Sequence, residues 1–377
     1  MKAIAKPLVL LVTNVPVPYR YRLYRALSEN ETFEGWTVFE SLSHGEVWAS
    51  GIEDGVNYDV LGGRSVKTET GRMPVHFRLL RYLLRKSPDG VILSDFSPLT
   101  ALQTFAYMAL ARKRVKLVSM TDENGDFFGK LSVRWARLWI RKAVLRRSSA
   151  CICCSESSSR HIEAISKAIR GKTYISYLTP EADYYAPSAI RSPFGGAIEL
   201  LTACRLVELK RVDRIIRAAA HLKARRADLD WKLTIVGDGP ERGRLERLTA
   251  ELGLERHVAF TGRLLGDALR RAYGRSNVFM LTSSKEPWGV VVHEAMLQGA
   301  VPIVTRSVGA SELAARAGGV VVDDRVDEQT LIDDLADAME TLIENRDELA
   351  ASQRRCREFA GSIAIDREVN AYLKAVQ

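Results

Sequence analysis

Thr282-Ser-Ser-Lys-Glu286-Pro-Trp288-Gly-Val-Val-Val-His-Glu294-Ala-Met296, followed by Gln298-Gly-Ala-Val-Pro-Ile-Val304, is the stretch that decides how this chain is read. The apolar run Asn277–Leu281 before it ends in small polar residues, as a strand leaving a sheet does. Pro287 suits the first turn of a helix, where its missing N–H is no loss. The pattern predicts a helix from about Trp288 to Leu297, stopped at Gly299, and a strand at Val301–Thr305 with Pro302 near its first position. Glu286 lies in the loop and Glu294 about two turns into the helix, with seven residues between them. Gly289 would let a ligand approach the backbone. The first N–H groups of the helix, from Trp288 to Val291, have no partner within it and suit phosphate or sugar oxygens. Donors for phosphate beside carboxylates for hydroxyls suit a sugar nucleotide. Two glutamates at an arbitrary spacing would instead be a surface loop and an ordinary amphipathic helix.

The chain has 377 residues, enough for two domains of ordinary size. Its hydrophobic content of 46% and charged content of 27% are those of a globular protein. The net charge of +9 is uneven: residues 1–190 hold 27 Lys and Arg against 18 Asp and Glu, and the remainder is balanced. An anionic partner is expected for the first half: a membrane surface, a lipid diphosphate or an acidic glycan. No nucleic-acid motif appears. Of the five cysteines, Cys151, Cys153 and Cys154 lie in one apolar run without metal-ligand spacing and read as buried strand residues in a reducing compartment, which points to a cytoplasmic location. Met1 to Thr13 carries Lys2 and Lys6 before a short apolar core, and a first buried strand is expected there rather than a signal peptide. No run is long enough to span a bilayer.

In the first half, strands are expected at Pro7–Thr13, Trp36–Leu42, Val91–Ser94, Val115–Met120 and Ala150–Cys154, and helices at Met73–Lys86, Pro98–Ala111, Lys130–Arg147 and Ser157–Ile169. The loop Asn14-Val-Pro-Val-Pro-Tyr19-Arg20 follows the first strand, with Arg20 either a phosphate contact or a solvated helix residue. Thr121-Asp122-Glu-Asn-Gly-Asp126 leaves the carboxyl end of a strand, where such sheets bind ligands, and makes Asp122 a site candidate. The helix at 130–147 sets Trp135, Leu138 and Trp139 among Arg134, Arg137, Arg141 and Lys142. It is either an amphipathic helix of the domain or a peripheral membrane-surface helix.

In the second half, strands are expected at 198–203, 232–236, 257–261, 277–281, 301–305 and 319–322, alternating with helices. Cys204-Arg205-Leu-Val-Glu-Leu-Lys210-Arg211 puts two cations in one strand-end loop, where they suit phosphate. The glycines of Val236-Gly237-Asp-Gly239-Pro240 either accept a phosphate or make a tight turn. Thr261-Gly-Arg263-Leu264 ends the next strand.

The Glu286 to Glu294 segment with Gly299-Ala-Val-Pro-Ile-Val304, and the run Arg205-Leu, three residues, Lys210, resemble the donor-site motifs of the retaining family-4 (group 1) glycosyltransferases. Cys204, Arg211 and Ala310 stand where that family usually has glycine. The resemblance implies the GT-B fold, α/β, two Rossmann-like domains facing each other across a donor/acceptor cleft. Residues 1–184 would form the acceptor domain, with 361–377 packing back on it, and 185–360 the nucleotide-sugar domain. It implies catalytic roles for Arg205, Lys210, Glu286 and Asp122. Donor contacts would come from Gly237, Gly239, Arg263, Leu264, Trp288, Gly289, Val290, Val291 and Glu294, whose carboxylate would hold the ribose hydroxyls, and an acceptor-side loop from Asn14, Tyr19 and Arg20. It further implies transfer with retention from a UDP- or GDP-sugar to a glycan or lipid-linked acceptor, in polysaccharide, lipopolysaccharide or glycolipid synthesis. No cofactor and no metal are expected, since Asp228-Leu-Asp230 precedes a strand instead of ending one. A nucleotide-sugar epimerase of the same fold and a non-catalytic sugar-nucleotide sensor stay open as alternatives.

Overall fold

A computed structural model describes residues 6–17, 20–41, 54–62, 64–68, 71–75, 77–94, 97–122, 131–180, 185, 190–363 and 365–377. The chain divides into two compact units, Met1–Thr179 with Ile365–Gln377, and Pro180–Ala364.

In the first unit the strands are β1 (Leu8–Thr13), β2 (Glu34–Phe39), β3 (Tyr58–Val60), β4 (Arg64–Thr68), β5 (Gly71–Val75), β6 (Gly90–Ser94), β7 (Lys116–Thr121), β8 (Ala150–Cys153) and β9 (Thr173–Ile175). Seven of them form a parallel sheet in the order β3-β2-β1-β6-β7-β8-β9. The unbroken apolar run of β1 follows from burial on both faces. Val9 and Leu11 pack with Ile92, Val118, Tyr24 and Tyr372 on one face, while Leu10 and Val12 pack with Leu83, Tyr107 and Val144 on the other. Each leucine so buried contributes about 2 kcal/mol. The order reverses between β1 and β6, so the loops leaving those strands flank the crevice where open α/β sheets bind ligands.

The helix expected from Met73 begins only at Leu79 and ends at Lys86. Gly71–Val75 pairs antiparallel with Arg64–Thr68 instead, with Pro74 opposite Ser65. A two-stranded ribbon tolerates a proline that cannot donate. The cation–apolar alternation that suggested one long helix belongs only to its second half.

The helix Ile365–Val376 joins this unit through Tyr372 and Ala375. Arg20 is buried here, so a solvated helix position does not describe it. Its Nη1 donates to the Tyr372 hydroxyl at 3.0 Å and faces Met120 Sδ at 3.2 Å. Glu368 on the same helix is also buried, and its Oε2 accepts from the Thr179 N–H at 3.3 Å. Its Oε1 has no hydrogen-bond partner among the described residues.

In the second unit the strands are β10 (Ile198–Ala203), β11 (Trp231–Val236), β12 (Val258–Gly262), β13 (Val278–Leu281), β14 (Val301–Thr305) and β15 (Val320–Val322). They form a parallel sheet in the order β12-β11-β10-β13-β14-β15, within a residue of the expected positions. The order reverses between β10 and β13, so the loops after these two strands, 204–211 and 282–289, flank this unit's crevice. The helices Glu328–Glu344 and Arg346–Ser362 follow the sheet.

Burial pushes the Glu368 carboxyl up to about 7, with the Arg20 charge pulling it back. Its folded value lies above the unfolded one, so its stabilisation is fully present below about pH 4.5 and lost as pH rises through 7. Unfolding free energy is expected to fall by on the order of 1–3 kcal/mol between about pH 5 and pH 8 from this group alone. Denaturant titration at both pH values checks it: Glu368→Gln should flatten the fall, and an unchanged slope in the variant contradicts the assignment.

Candidate active site

The loop after β10 holds the two cations read from the sequence. Arg205 is exposed, and among the described residues its guanidinium makes no ion pair. Lys210 reaches across to Glu286 in the loop after β13, and Nζ donates to Oε2 in an ion pair with side chains only 22% and 14% exposed. The structure thus joins two of the residues assigned to catalysis from separate motifs, at the point where the sheet order reverses.

Backbone contacts hold the two loops together. The Ser284 N–H donates to the Leu209 carbonyl at 2.9 Å, and the Thr282 hydroxyl to the Arg211 carbonyl at 2.9 Å. The Gly309 and Ala310 N–H groups donate to the carbonyls of Glu286 at 3.0 Å and Trp288 at 2.7 Å. The Ser283 hydroxyl lies 3.4 Å from Glu286 Oε2.

Arg211, where a glycine was expected, adopts the left-handed conformation a glycine would have used, with φ 47° and ψ 42°. That costs a non-glycine residue about 1–2 kcal/mol. The cost is offset by Nε and Nη2 donating to the Asp213 carboxylate at 3.1 Å each, and by an ion pair to Glu328. The turn into the helix Val212–Arg225 is therefore kept without glycine, and Lys210 remains aimed at Glu286.

Gly237 and Gly239 have a packing role. A Cβ on Gly237 would lie 1.8 Å from the Cys204 carbonyl oxygen, and one on Gly239 2.2 Å from that of Leu206. Their bareness lets the 237–241 turn pack on the 204–206 backbone, where the Leu206 N–H donates to the Asp238 carbonyl at 2.9 Å. Arg263 is exposed and Leu264 partly so, just after β12.

The helix after Glu286 starts at Val290, two residues later than expected, because Gly289 sits at φ 91° as its N-cap. Trp288 is 2% exposed, so its ring is core and not a ligand surface. The partly exposed Val290 and Val291 carry the helix's opening N–H groups.

Glu294 is 9% exposed. Its Oε1 accepts from the Tyr185 hydroxyl at 3.0 Å and its Oε2 from the Tyr273 hydroxyl at 2.9 Å. Burial pushes its carboxyl up, and the two phenols pull it back. Sequence reading missed both tyrosines; Tyr273 has only the signature of a core aromatic. Burial also pushes the Cys204 thiol up to about 11, so it stands neutral beside the Lys210 charge.

In the first unit, Asn14, Arg20 and Asp122 line one cavity of about 140 Å³ with Thr13, Ser94 and Thr121, at the carboxyl ends of β1, β6 and β7. The Asp122 carbonyl accepts from the Cys154 thiol at 3.3 Å. Tyr19 and Lys130 lie outside the described residues.

The family model for glycosyl transferases group 1 matches residues 190–360, the span that contains all of these second-unit loops. The chain is similar to the group 1 glycosyltransferases. It is 28% identical over 344 residues to a GDP-mannose-dependent alpha-(1-6)-phosphatidylinositol monomannoside mannosyltransferase of Mycolicibacterium smegmatis, covering 85% of this chain and 86% of that one. It is 37% identical over 110 residues to an uncharacterised glycosyltransferase of Methanocaldococcus jannaschii, a match spanning 29% of this chain and 27% of that relative. Among solved structures it resembles the Anabaena protein Alr3699/HepE, solved in complex with UDP, with a TM-score of 0.75 at 17% identity, over 98% of this chain and 99% of that one. The two Rossmann-like units thus carry the GT-B fold of these glycosyltransferases.

Gly239→Ala is expected to displace the 204–210 loop, destabilise the second unit by about 2 kcal/mol or more, and weaken nucleoside diphosphate binding. Denaturation and calorimetry check this, and a variant with unaltered stability and binding contradicts the packing role.

Proposed function

We propose that this glycosyltransferase moves a sugar from a UDP- or GDP-sugar to a glycan or lipid-linked acceptor, with retention at the anomeric carbon and without a required metal. The observation that carries the reading is the Lys210–Glu286 ion pair beside the exposed Arg205, at the reversal point of the second sheet. The sugar–phosphate bond breaks, and negative charge builds on the leaving diphosphate. Arg205, Lys210 and the first N–H groups of the helix at Val290 neutralise that charge. The acceptor hydroxyl attacks the same face of the oxocarbenium-like centre and gives its proton to a departing phosphate oxygen. Lys210 is shared between Glu286 and the diphosphate, so Glu286 keeps the lysine aimed and borders the transferred sugar. Hydroxyls of the acceptor suit the cavity lined by Asn14, Arg20 and Asp122.

Metal independence is supported by the Asp-x-Asp candidate. Asp228 is held by Arg226 at 3.0 Å, ahead of β11, away from the strand ends that carry the site. The choice of UDP or GDP draws on the Anabaena structure with UDP and on the mannosyltransferase named for GDP-mannose.

A lipid-linked acceptor is supported by one face of the first unit, and suits a cytoplasmic protein bound peripherally to the membrane. The helices Leu79–Lys86, Pro98–Leu110 and Leu131–Arg147 hold nine lysines and arginines and not one Asp or Glu. Arg141 is buried 3.5 Å from His161, so the last helix turns one side inward. Its other side exposes Trp135 and Trp139 by 66% and 70%, and Leu102 and Leu110 are exposed on the middle helix. Exposed apolar side chains among cations suit an anionic lipid surface. Among the described residues no helix is long and apolar enough to cross a membrane.

Arg205→Ala and Lys210→Ala are each expected to lower turnover by about a hundredfold or more, with the fold retained and wild-type activity persisting in excess EDTA. Steady-state transfer assays check both: full activity in the folded variants, or EDTA inactivation reversed by Mn²⁺, contradicts the scheme. The wild type should also sediment with phosphatidylglycerol vesicles, less so at a salt concentration where charges are screened beyond about 10 Å. Trp135→Ala with Trp139→Ala should weaken this, and no sedimentation at low salt contradicts the membrane face.

A further inference from the structure

Each oxygen of the Glu294 carboxylate already accepts a phenol proton, from Tyr185 and Tyr273. That leaves the carboxylate accepting capacity on both oxygens, in a geometry fixed from two sides. Tyr273, on the helix Gly266–Gly274, has no exposed surface, and burial raises its phenol well above the ordinary value. It is therefore a proton donor at every working pH. Its ring stands edge-on to Tyr185 at 6.1 Å and tilted to Phe279 at 5.9 Å, which fixes the hydroxyl. Tyr185 is tied down a second time, by the Gln298 side-chain amide donating to its carbonyl. His293, the neighbour of Glu294, has its Nε2 3.0 Å from the Ala360 carbonyl instead. The titratable groups facing Glu294 among the described residues are thus these two phenols, with the Cys204 thiol acting on Tyr273.

We propose that Tyr185 and Tyr273 are positioning residues that keep Glu294 ionised and aimed at the ribose cis-diol of the nucleotide, and so set both the affinity and the acid limit of nucleotide binding. This rests on the glycosyl-donor reading above. Burial by itself drives a carboxyl toward its protonated form, which accepts poorly from two hydroxyls at once. Two phenol donors stabilise the charged form and offset the burial. They also set its orientation, which a ribose needs if both of its hydroxyls are to donate together. A tyrosine pair that merely filled space would support stability without touching the pH dependence of binding or the choice of sugar.

Calorimetric titration of the full chain with UDP and GDP, and with their 2′-deoxy counterparts, from about pH 5 to pH 8 tests this. In the wild type, binding should weaken as pH falls through the Glu294 titration. Tyr273→Phe and Tyr185→Phe each remove a donor to the charged form, so the weakening should begin at higher pH. Each should bind UDP or GDP about tenfold more weakly near neutrality, with a smaller ribose-over-deoxyribose preference and KM raised more than kcat is lowered. Glu294→Gln should remove the pH dependence. If both Phe variants keep the wild-type pH profile and ribose preference, the inference is overturned, even if their melting temperatures fall. If Tyr273→Phe does not fold, Tyr185→Phe alone decides by the same readouts. A wild type that binds neither UDP nor GDP overturns the donor reading, and the inference with it.

Discussion

The ion pair between Lys210 and Glu286 is the constraint on which the rest of the second unit depends. It joins two loops that leave adjacent strands and are far apart in sequence. A largely enclosed pair is valuable only while both partners stay in place, because removing one leaves a desolvated charge. The surrounding features each keep one end in position. Arg211 accepts a strained backbone so that Lys210 faces inward. Gly237 and Gly239 let the neighbouring turn support the lysine's loop. The Gly309 and Ala310 amides hold the glutamate's loop from the other side. In the proposed reaction a diphosphate beside Arg205 would meet a lysine already desolvated and oriented, which is what stabilisation of developing charge requires.

The second unit was legible because its signals are local. Strand β10 and the loop Cys204–Arg211, or β13 and the loop to Gly289, lie within short windows whose periodicity and punctuation agree. Arg205, Lys210 and Glu286 could be placed at strand ends beside one crevice because the strands before them are short apolar runs with clear exits. Non-local packing was not legible. The glycines at 237 and 239 read as either phosphate acceptors or a tight turn, and only the Cys204 and Leu206 carbonyls pressed against them reveal their packing role. Trp288 sat inside the motif but points into the core. Tyr185 and Tyr273 meet Glu294 from segments more than a hundred and about twenty residues away, and no spacing rule links them.

In the first unit, the parallel core and the positions of Asn14 and Asp122 followed from apolar runs and their exits. Arg20 did not follow. Its surroundings come from Met120 and from Tyr372, which lies 352 residues further along the chain. The helix expected from Met73 failed because antiparallel pairing with Arg64–Thr68 outweighed a local helical pattern. The basic helices 79–86 and 131–147 were recognisable as such, but which of their sides faces outward was not. Arg141 is buried while both tryptophans are exposed, the reverse of what polarity by itself suggests.

In the proposed function Glu286 and Glu294 hold different parts of one ligand, the reacting end and the ribose, and this division of labour is the central claim. The most direct measurement sets calorimetric affinity for the nucleoside diphosphate beside the steady-state transfer rate in Glu286→Gln and Glu294→Gln. Glu286→Gln should lower kcat with little change in nucleotide affinity, because its lysine matters most as charge develops. Glu294→Gln should weaken nucleotide binding and raise KM more than it lowers kcat. Equal binding losses in the two variants, with unchanged turnover at saturation, would contradict the placement of the sugar beside Glu286.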